Sequence, residues 1–251
     1  YIVIIASALF LMIISPSITM YTLEDDIKLL RELALSTLFL ASLFIAIFSA
    51  SRALNEEIEN RTISTILTKP VQRPVFILSK FLGITGAVIL AHFICTAAML
   101  LVIRHGLLIY SSDTHDMTVI TAGALSLVLS VALGGLLNYF YDIKFYSSAV
   151  ILLGVFSALN IIIFYFIDKN WQFNPAGNDI NKVDVYASVL LLSGAVIILS
   201  LAILLSVRFN ILITLAGCTA FFLAGLVSDY VFGRFADENI LAAVFYFILP
   251  N

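Results

Sequence analysis

Six stretches of this chain, 33–51, 81–103, 117–141, 145–167, 185–207 and 209–228, contain no Asp, Glu, Lys or Arg. Each approaches or exceeds the roughly 20 apolar residues that a helix needs to cross the hydrocarbon of a bilayer. In lipid every backbone N–H and C=O must find its partner inside the protein, which leaves helices and closed barrels as spanning structures. Barrel strands alternate apolar and polar side chains over about ten residues, whereas these runs are apolar on every side. With 62% apolar and 12% charged residues, 251 residues offer far more apolar surface than one water-soluble core can hide. The expectation is an all-α, polytopic helical membrane protein with a single transmembrane domain over 1–251.

Two further runs are incomplete. The stretch 1–23 is interrupted by Pro16, which lacks the N–H of a helix interior, so its helix is expected to end near Ser15. No basic segment precedes it and no small-residue cleavage site follows, so it does not read as a secretory signal. The run 239–251 is short for a crossing. Residues 229–251 are therefore expected to form an external helix ahead of a missing last span, and the sequence to be truncated at both ends.

Charge orients the spans. If 52–80, 142–144 and Arg208 share one side, that side holds seven basic residues against four acidic ones, and the opposite loops hold six basic against twelve acidic. Basic residues mark the cytoplasmic side. Five of the seven lie in the loop 52–80, which is placed in the cytoplasm, with the acidic loops outside.

The candidate chemistry inside the spans is sparse. Cys95 and Cys218 lie within apolar runs, where a thiol acts as a small hydrophobe rather than half of a disulfide or a metal ligand. His92 lies mid-span; it reads either as a residue bonded to a neighbouring helix carbonyl, the preferred reading, or as a polar contact to substrate. His105 and His115 flank an external loop without HExxH or paired spacing. The other mid-span polar groups are hydroxyls and the isolated Asn138 and Asn160, thin material for an enzyme. A secondary carrier would keep an ionisable group in its pathway to bind the coupling ion, and the charge-free runs offer none. Energy for transport would then have to come from outside the lipid.

That directs attention to the polar island 52–80. Asn55 is a suitable N-cap, Glu56, Glu57 and Glu59 crowd the first turn where carboxylates suit the helix dipole, and Pro70 forces an end near Lys69. At 100° per residue Ile58, Ile63, Ile66 and Leu67 cover one half of the circumference, and Glu57, Asn60, Arg61 and Ser64 the other. Glu56 and Glu59 fall on the apolar half, which suits a soluble protein partner better than lipid. The alternative is an interfacial helix under the headgroups, with the glutamates as ordinary capping charges.

The string Glu57-Ile58-Glu59-Asn60-Arg61-Thr62, running on to Leu67-Thr68-Lys69-Pro70-Val71-Gln72-Arg73, then Phe76 and Lys80-Phe81-Leu82-Gly83, resembles the first cytoplasmic loop of ABC transporter permeases of the second export class. Leu205-Ser206-Val207-Arg208-Phe209-Asn210 and Phe247-Ile248-Leu249-Pro250-Asn251 are weaker echoes of a late inner turn and of the external segment before the last span. The resemblance implies a coupling helix seated in a cleft of a cytoplasmic ABC ATPase subunit. In that role Glu56, Glu57, Glu59 and Arg61 would contact the ATPase, while Thr62, Pro70 and Arg73 would shape the elbow. It also implies a second permease copy or paralogue, and ATP and Mg bound by the ATPase; this chain has no GxxxxGK[ST] loop and is expected to carry no cofactor and no catalytic site. The hairpin formed by 119–141 and 145–167, joined by Asp142, Ile143 and Lys144, departs from the usual six-span pattern. Its short connection makes the two helices antiparallel neighbours.

The expected function is a membrane-spanning permease subunit of an ATP-driven exporter, in a bacterial or archaeal cytoplasmic membrane, moving a cargo the sequence does not identify. Two alternatives stay open: a scaffold passing ATPase-driven motion to an extracytoplasmic partner, and a secondary carrier. Nothing points to nucleic acid. Gly83, Gly86, Gly134 and Gly135 permit close approach of helices. Leu23, Ile27 and Leu30 recur at helical spacing among Glu24, Asp25, Asp26 and Lys28, predicting an amphipathic helix on the outer surface. In the polar loop 168–184, Trp171 and Phe173 suit the membrane boundary.

Overall fold

The computed structural model describes residues 2–19, 26–59, 73–107, 115–169, 171–174, 181–231, 233–235, 240, 243–244 and 246. Among the described residues seven α-helices follow one another: α1 (Ile2–Thr19), α2 (Asp26–Glu59), α3 (Arg73–His105), α4 (Met117–Tyr141), α5 (Phe145–Phe166), α6 (Lys182–Ser206) and α7 (Ile211–Val231). Among the described residues the β pairing is one isolated bridge, Ile167 with Phe173. Six helical segments are apolar and long enough to cross a membrane: Ile27–Ala53, Ile77–His105, Met117–Tyr141, Phe145–Phe166, Lys182–Ser206 and Ile211–Phe235. This is the pattern of a multi-pass membrane protein, and each of the six segments overlaps one of the six charge-free runs.

Contacts divide the chain into two compact units, Tyr1–Ser42 with Ala87–Leu192, and Leu43–Gly86 with Ser193–Asn251. In the first, α1, α2 and α3 share a core of Ala8 and Met12, Leu30, Leu38 and Ala41, and Cys95, Met99 and Val102. With Ala34, which belongs to the same core, their spacings of three and four are those of one face of a 3.6-residue helix. A smaller cluster joins Val119 and Ala122 of α4 to Phe164 of α5. The predicted antiparallel hairpin of α4 and α5 is present, and its two crossings are tight. A Cβ placed on Gly134 would lie 3.1 Å from the Cβ of Ala149, and one on Gly154 2.7 Å from Cδ1 of Leu90 on α3, whereas Gly83, Gly86 and Gly135 have nothing within 4 Å. Of the four glycines expected to permit close approach, Gly134 does so.

The hairpin turn is built locally. Asp142 adopts a left-handed φ of 55° and its N–H donates to the Asn138 carbonyl, a conformation that Asp tolerates better than most residues. The Asn138 side chain donates to Ile143 O at 2.8 Å. At mid-height the Asn160 amide donates to Ser126 Oγ at 2.9 Å, joining the two helices where lipid could not satisfy either group.

In the second unit, Ala195, Ile198, Leu199 and Ala202 of α6 and Cys218 of α7 are buried. Asn210 opens α7, its side chain accepting from Ile213 N at 3.0 Å, and Leu205 fills the notch left by Gly217. Cys95 and Cys218 are free buried thiols, in keeping with the hydrophobic role expected for them.

Two boundaries differ from the sequence expectation. The first helix does not stop at Ser15 but runs through Pro16 to Thr19. Proline cannot donate to the carbonyl four residues back, here Met12, and Ser15 Oγ donates to that carbonyl at 2.8 Å instead. Asn55 does not cap a new helix, because α2 continues unbroken through it to Glu59. The reason lies in the neighbours: Arg, Ala, Leu and Glu from Arg52 to Glu59 are strong helix formers, and one Asn inside a helix costs only about 0.7 kcal/mol relative to Ala. Ile27 and Leu30, expected with Leu23 in an amphipathic helix on the outer surface, lie in the first turns of α2; Leu23 lies outside the described residues.

Candidate functional site

The first unit carries its polar chemistry at three levels of the helices. Deepest is His92 on α3. Its Nε2 lies 3.0 Å from the Ser188 carbonyl and its Nδ1 2.6 Å from Ser42 Oγ. A carbonyl only accepts, so Nε2 carries the proton, while Ser42 Oγ, which also donates to Leu38 O at 2.8 Å, packs against Nδ1. Thr96 Oγ1 and Ser188 Oγ, 3.0 Å apart, extend the network. The preferred sequence reading of His92, bonded to a neighbouring helix carbonyl, holds. The ring joins α2, α3 and α6 with both nitrogens engaged.

At the end of α3, Arg104 organises three elements. Its Nε donates to Asp116 Oδ2 at 3.1 Å, Nη1 to Phe164 O at 2.7 Å and Nη2 to Ile167 O at 2.7 Å. The guanidinium carbon also stands 4.9 Å from the centre of the Phe164 ring. Helix C-termini leave carbonyls without partners and carry partial negative charge, and Arg104 satisfies both needs for α5. Asp116 does the converse for α4, where Oδ1 accepts from Val119 N at 3.1 Å. Thr118 Oγ1 donates to Asp168 O at 2.9 Å, fixing the chain that leaves α5. Nearby, Arg31 of α2 and Asp184 in the first turn of α6 form an ion pair at 3.5 Å.

The same unit holds a cleft of about 520 Å³ lined by α1, α3, α4 and α5. Its walls are apolar, including Ile13, Ile94, Ala98, Leu101, Ile120 and Leu127, and Gly123 widens it. Two polar sets interrupt them: Ser126, Ser157 and Asn160 at mid-height, and His105 with His115 at the rim. His115 Nδ1 is 3.4 Å from His105 Nε2, and His105 Nδ1 is 3.1 Å from Gly106 O. Since that carbonyl only accepts, His105 presents Nε2 to His115 as an acceptor in its neutral form. Among the described residues there is no group of three or more His, Cys, Asp or Glu that could hold a metal ion.

The residues that the loop resemblance singled out stand apart from this cleft in the sequence. Glu56, Glu57 and Glu59 lie on the last turns of α2, and Arg73 is the first residue of α3. Arg61, Thr62 and Pro70 lie outside the described residues. Trp171 and Phe173, expected at the membrane boundary, are exposed, and Phe173 stacks on Phe166 with ring centres 5.8 Å apart.

Sequence reasoning missed the Arg104–Asp116 clasp and the histidine pair, having set His105 and His115 aside for want of paired spacing. Arg104 and Asp116 were counted only as loop charges. The available signal was Asp116 immediately before the apolar run from Met117, the position of an N-cap. No family model, curated protein or solved structure matches this chain.

Proposed function

We propose that this chain is the membrane-spanning permease subunit of an ATP-driven exporter, coupled to a cytoplasmic ABC ATPase through the polar segment that begins at the end of α2. The observation that carries the reading is the continuity of α2. The apolar span ends at Ala53, but the helix runs on to Glu59, an overhang of about 9 Å at about 1.5 Å per residue. Helix α3 likewise begins at Arg73, ahead of its span at Ile77. A polar connection held between two rigid extensions of membrane helices transmits a push on that connection into tilting of the spans. A partner that binds one tilt better than the other shifts their populations.

His92, the mid-span imidazole, bonds Ser42 and Ser188 and so serves to join helices. Purification of the full-length protein from gently solubilised native membranes tests the proposal. A nucleotide-hydrolysing subunit should accompany it and should crosslink to the segment 55–73. Recovery without any such subunit, after crosslinking in intact membranes, would sink the idea.

A further inference from the structure

We propose that the cleft between α1, α3, α4 and α5 binds one long-chain fatty acid, with its carboxyl group at His105 and His115 and its chain along the apolar walls. The inference is independent of the ATPase reading, since the cleft is built within one compact unit.

Size sets the first limit. The volume of about 520 Å³ lies within the roughly 300–1,000 Å³ of small-molecule sites. That volume and the apolar walls suit one acyl chain. Length agrees with volume. From Ile94 to His105 the α3 wall rises about 16 Å, at about 1.5 Å per residue.

Polarity sets the second limit. The walls are aliphatic, and the rim places two imidazoles 3.4 Å apart. The Arg104 guanidinium is committed to Asp116, Phe164 O and Ile167 O, and His105 to Gly106 O and His115, so among the described residues His115 Nε2 is the rim nitrogen left to serve a ligand. A neutral imidazole offers one donor and one acceptor, and an imidazolium two donors. His115 Nε2 therefore suits a carboxyl group, accepting from its protonated form or, on the imidazolium, donating to its ionised form. A hydrocarbon without a head would leave that nitrogen without any gain. Deeper in the cleft Asn160 donates to Ser126, so these two polar groups are already paired and allow a chain to pass.

Gly123 supplies the test. It lines the cleft, and a Cβ built there meets nothing within 4 Å, so Gly123→Phe fills the space without striking the backbone. The protein in phosphatidylethanolamine and phosphatidylglycerol nanodiscs is exposed to hexadecanoic acid carrying a diazirine, illuminated, and its peptides mapped. Labelling should be saturable, concentrated on 94–106 and 119–127, and displaced by unlabelled hexadecanoic acid. The methyl ester should compete roughly tenfold less well, the loss expected for a hydrogen bond to a charged group, and Gly123→Phe should abolish the saturable part. His105→Ala with His115→Ala should erase the preference for acid over ester. Even labelling of all lipid-facing helices, equal competition by acid and ester, or displacement by the diacyl lipid alone would overturn the proposal. If Gly123→Phe does not accumulate, the acid-against-ester competition on the unaltered protein decides.

Discussion

Arg104 Nε and Asp116 Oδ2 lie 3.1 Å apart, and each of these residues also caps the end of a different helix. Asp116 is fully buried and holds the first turn of α4 through Val119 N, while Arg104 holds the last carbonyls of α5. The pair thus joins a helix start to a helix end through their opposite dipoles.

Removal of one partner strands the other. Arg104→Met should destabilise the protein by about 3–5 kcal/mol, the cost of leaving a buried charge uncompensated. Asp116→Ala should lose the same ion pair and an N-cap of about 1 kcal/mol. Arg104→Met combined with Asp116→Ala should be less damaging than the sum of the two single changes, because the second removes the charge that the first left bare. Denaturant unfolding in mild detergent gives the three values. Additive losses would mean that the two residues act separately.

The helix interiors were legible in the sequence because lipid imposes one strong condition, a run of about 20 residues without charge. The ends were not, because that condition fails wherever a charge has a partner. Arg31 and Asp184 belong to helical spans as an ion pair, and Arg104 belongs to α3 as the ligand of Asp116. Reading each charge as a loop residue trimmed the spans. Pro16 misled in a related way, since a neighbouring hydroxyl takes over the carbonyl that proline abandons. The histidine pair was invisible for another reason. His105 and His115 are ten residues apart and share no helix, so only the return of the chain from α3 to α4 brings their rings together. His92, by contrast, was legible because a lone imidazole amid aliphatic residues has few ways to be satisfied, and a helix carbonyl is the commonest.

The tightness of the α4–α5 hairpin can be tested with adjacent glycines. Gly134→Leu drives a side chain into the Ala149 backbone, 3.2 Å from where its Cβ would stand, while Gly135→Leu enters open space. Overpacking should cost Gly134→Leu about 1–3 kcal/mol. The helix-propensity gain of about 0.8 kcal/mol for replacing Gly by Leu is common to both changes, so Gly135→Leu should match or exceed the parent in thermal stability. Similar behaviour of the two variants would show that the helices do not meet at Gly134.

The overhang of α2 distinguishes a lever from a hinge. If a new helix began at Asn55, proline at position 56 would occupy the first helical position, where it is favoured. Because α2 is continuous there, Glu56→Pro should instead break the helix beyond Ala53 at a cost of about 3 kcal/mol, confined to the overhang. Amide exchange over 54–59 should then rise to that of free chain while the spans stay protected. In a complex with the proposed ATPase, the same variant should retain nucleotide hydrolysis but lose the response of the spans to nucleotide, read by crosslinking at their ends. Replacing Glu59 and Arg61 together by Ala should reproduce the uncoupling without the change in exchange, because it removes the proposed contacts and leaves the helix up to Ile58 unaltered. A Glu56→Pro variant that exchanges and couples like the parent would mean that stiffness at the end of α2 plays no part in transmission, and the permease reading would lose the observation on which it stands.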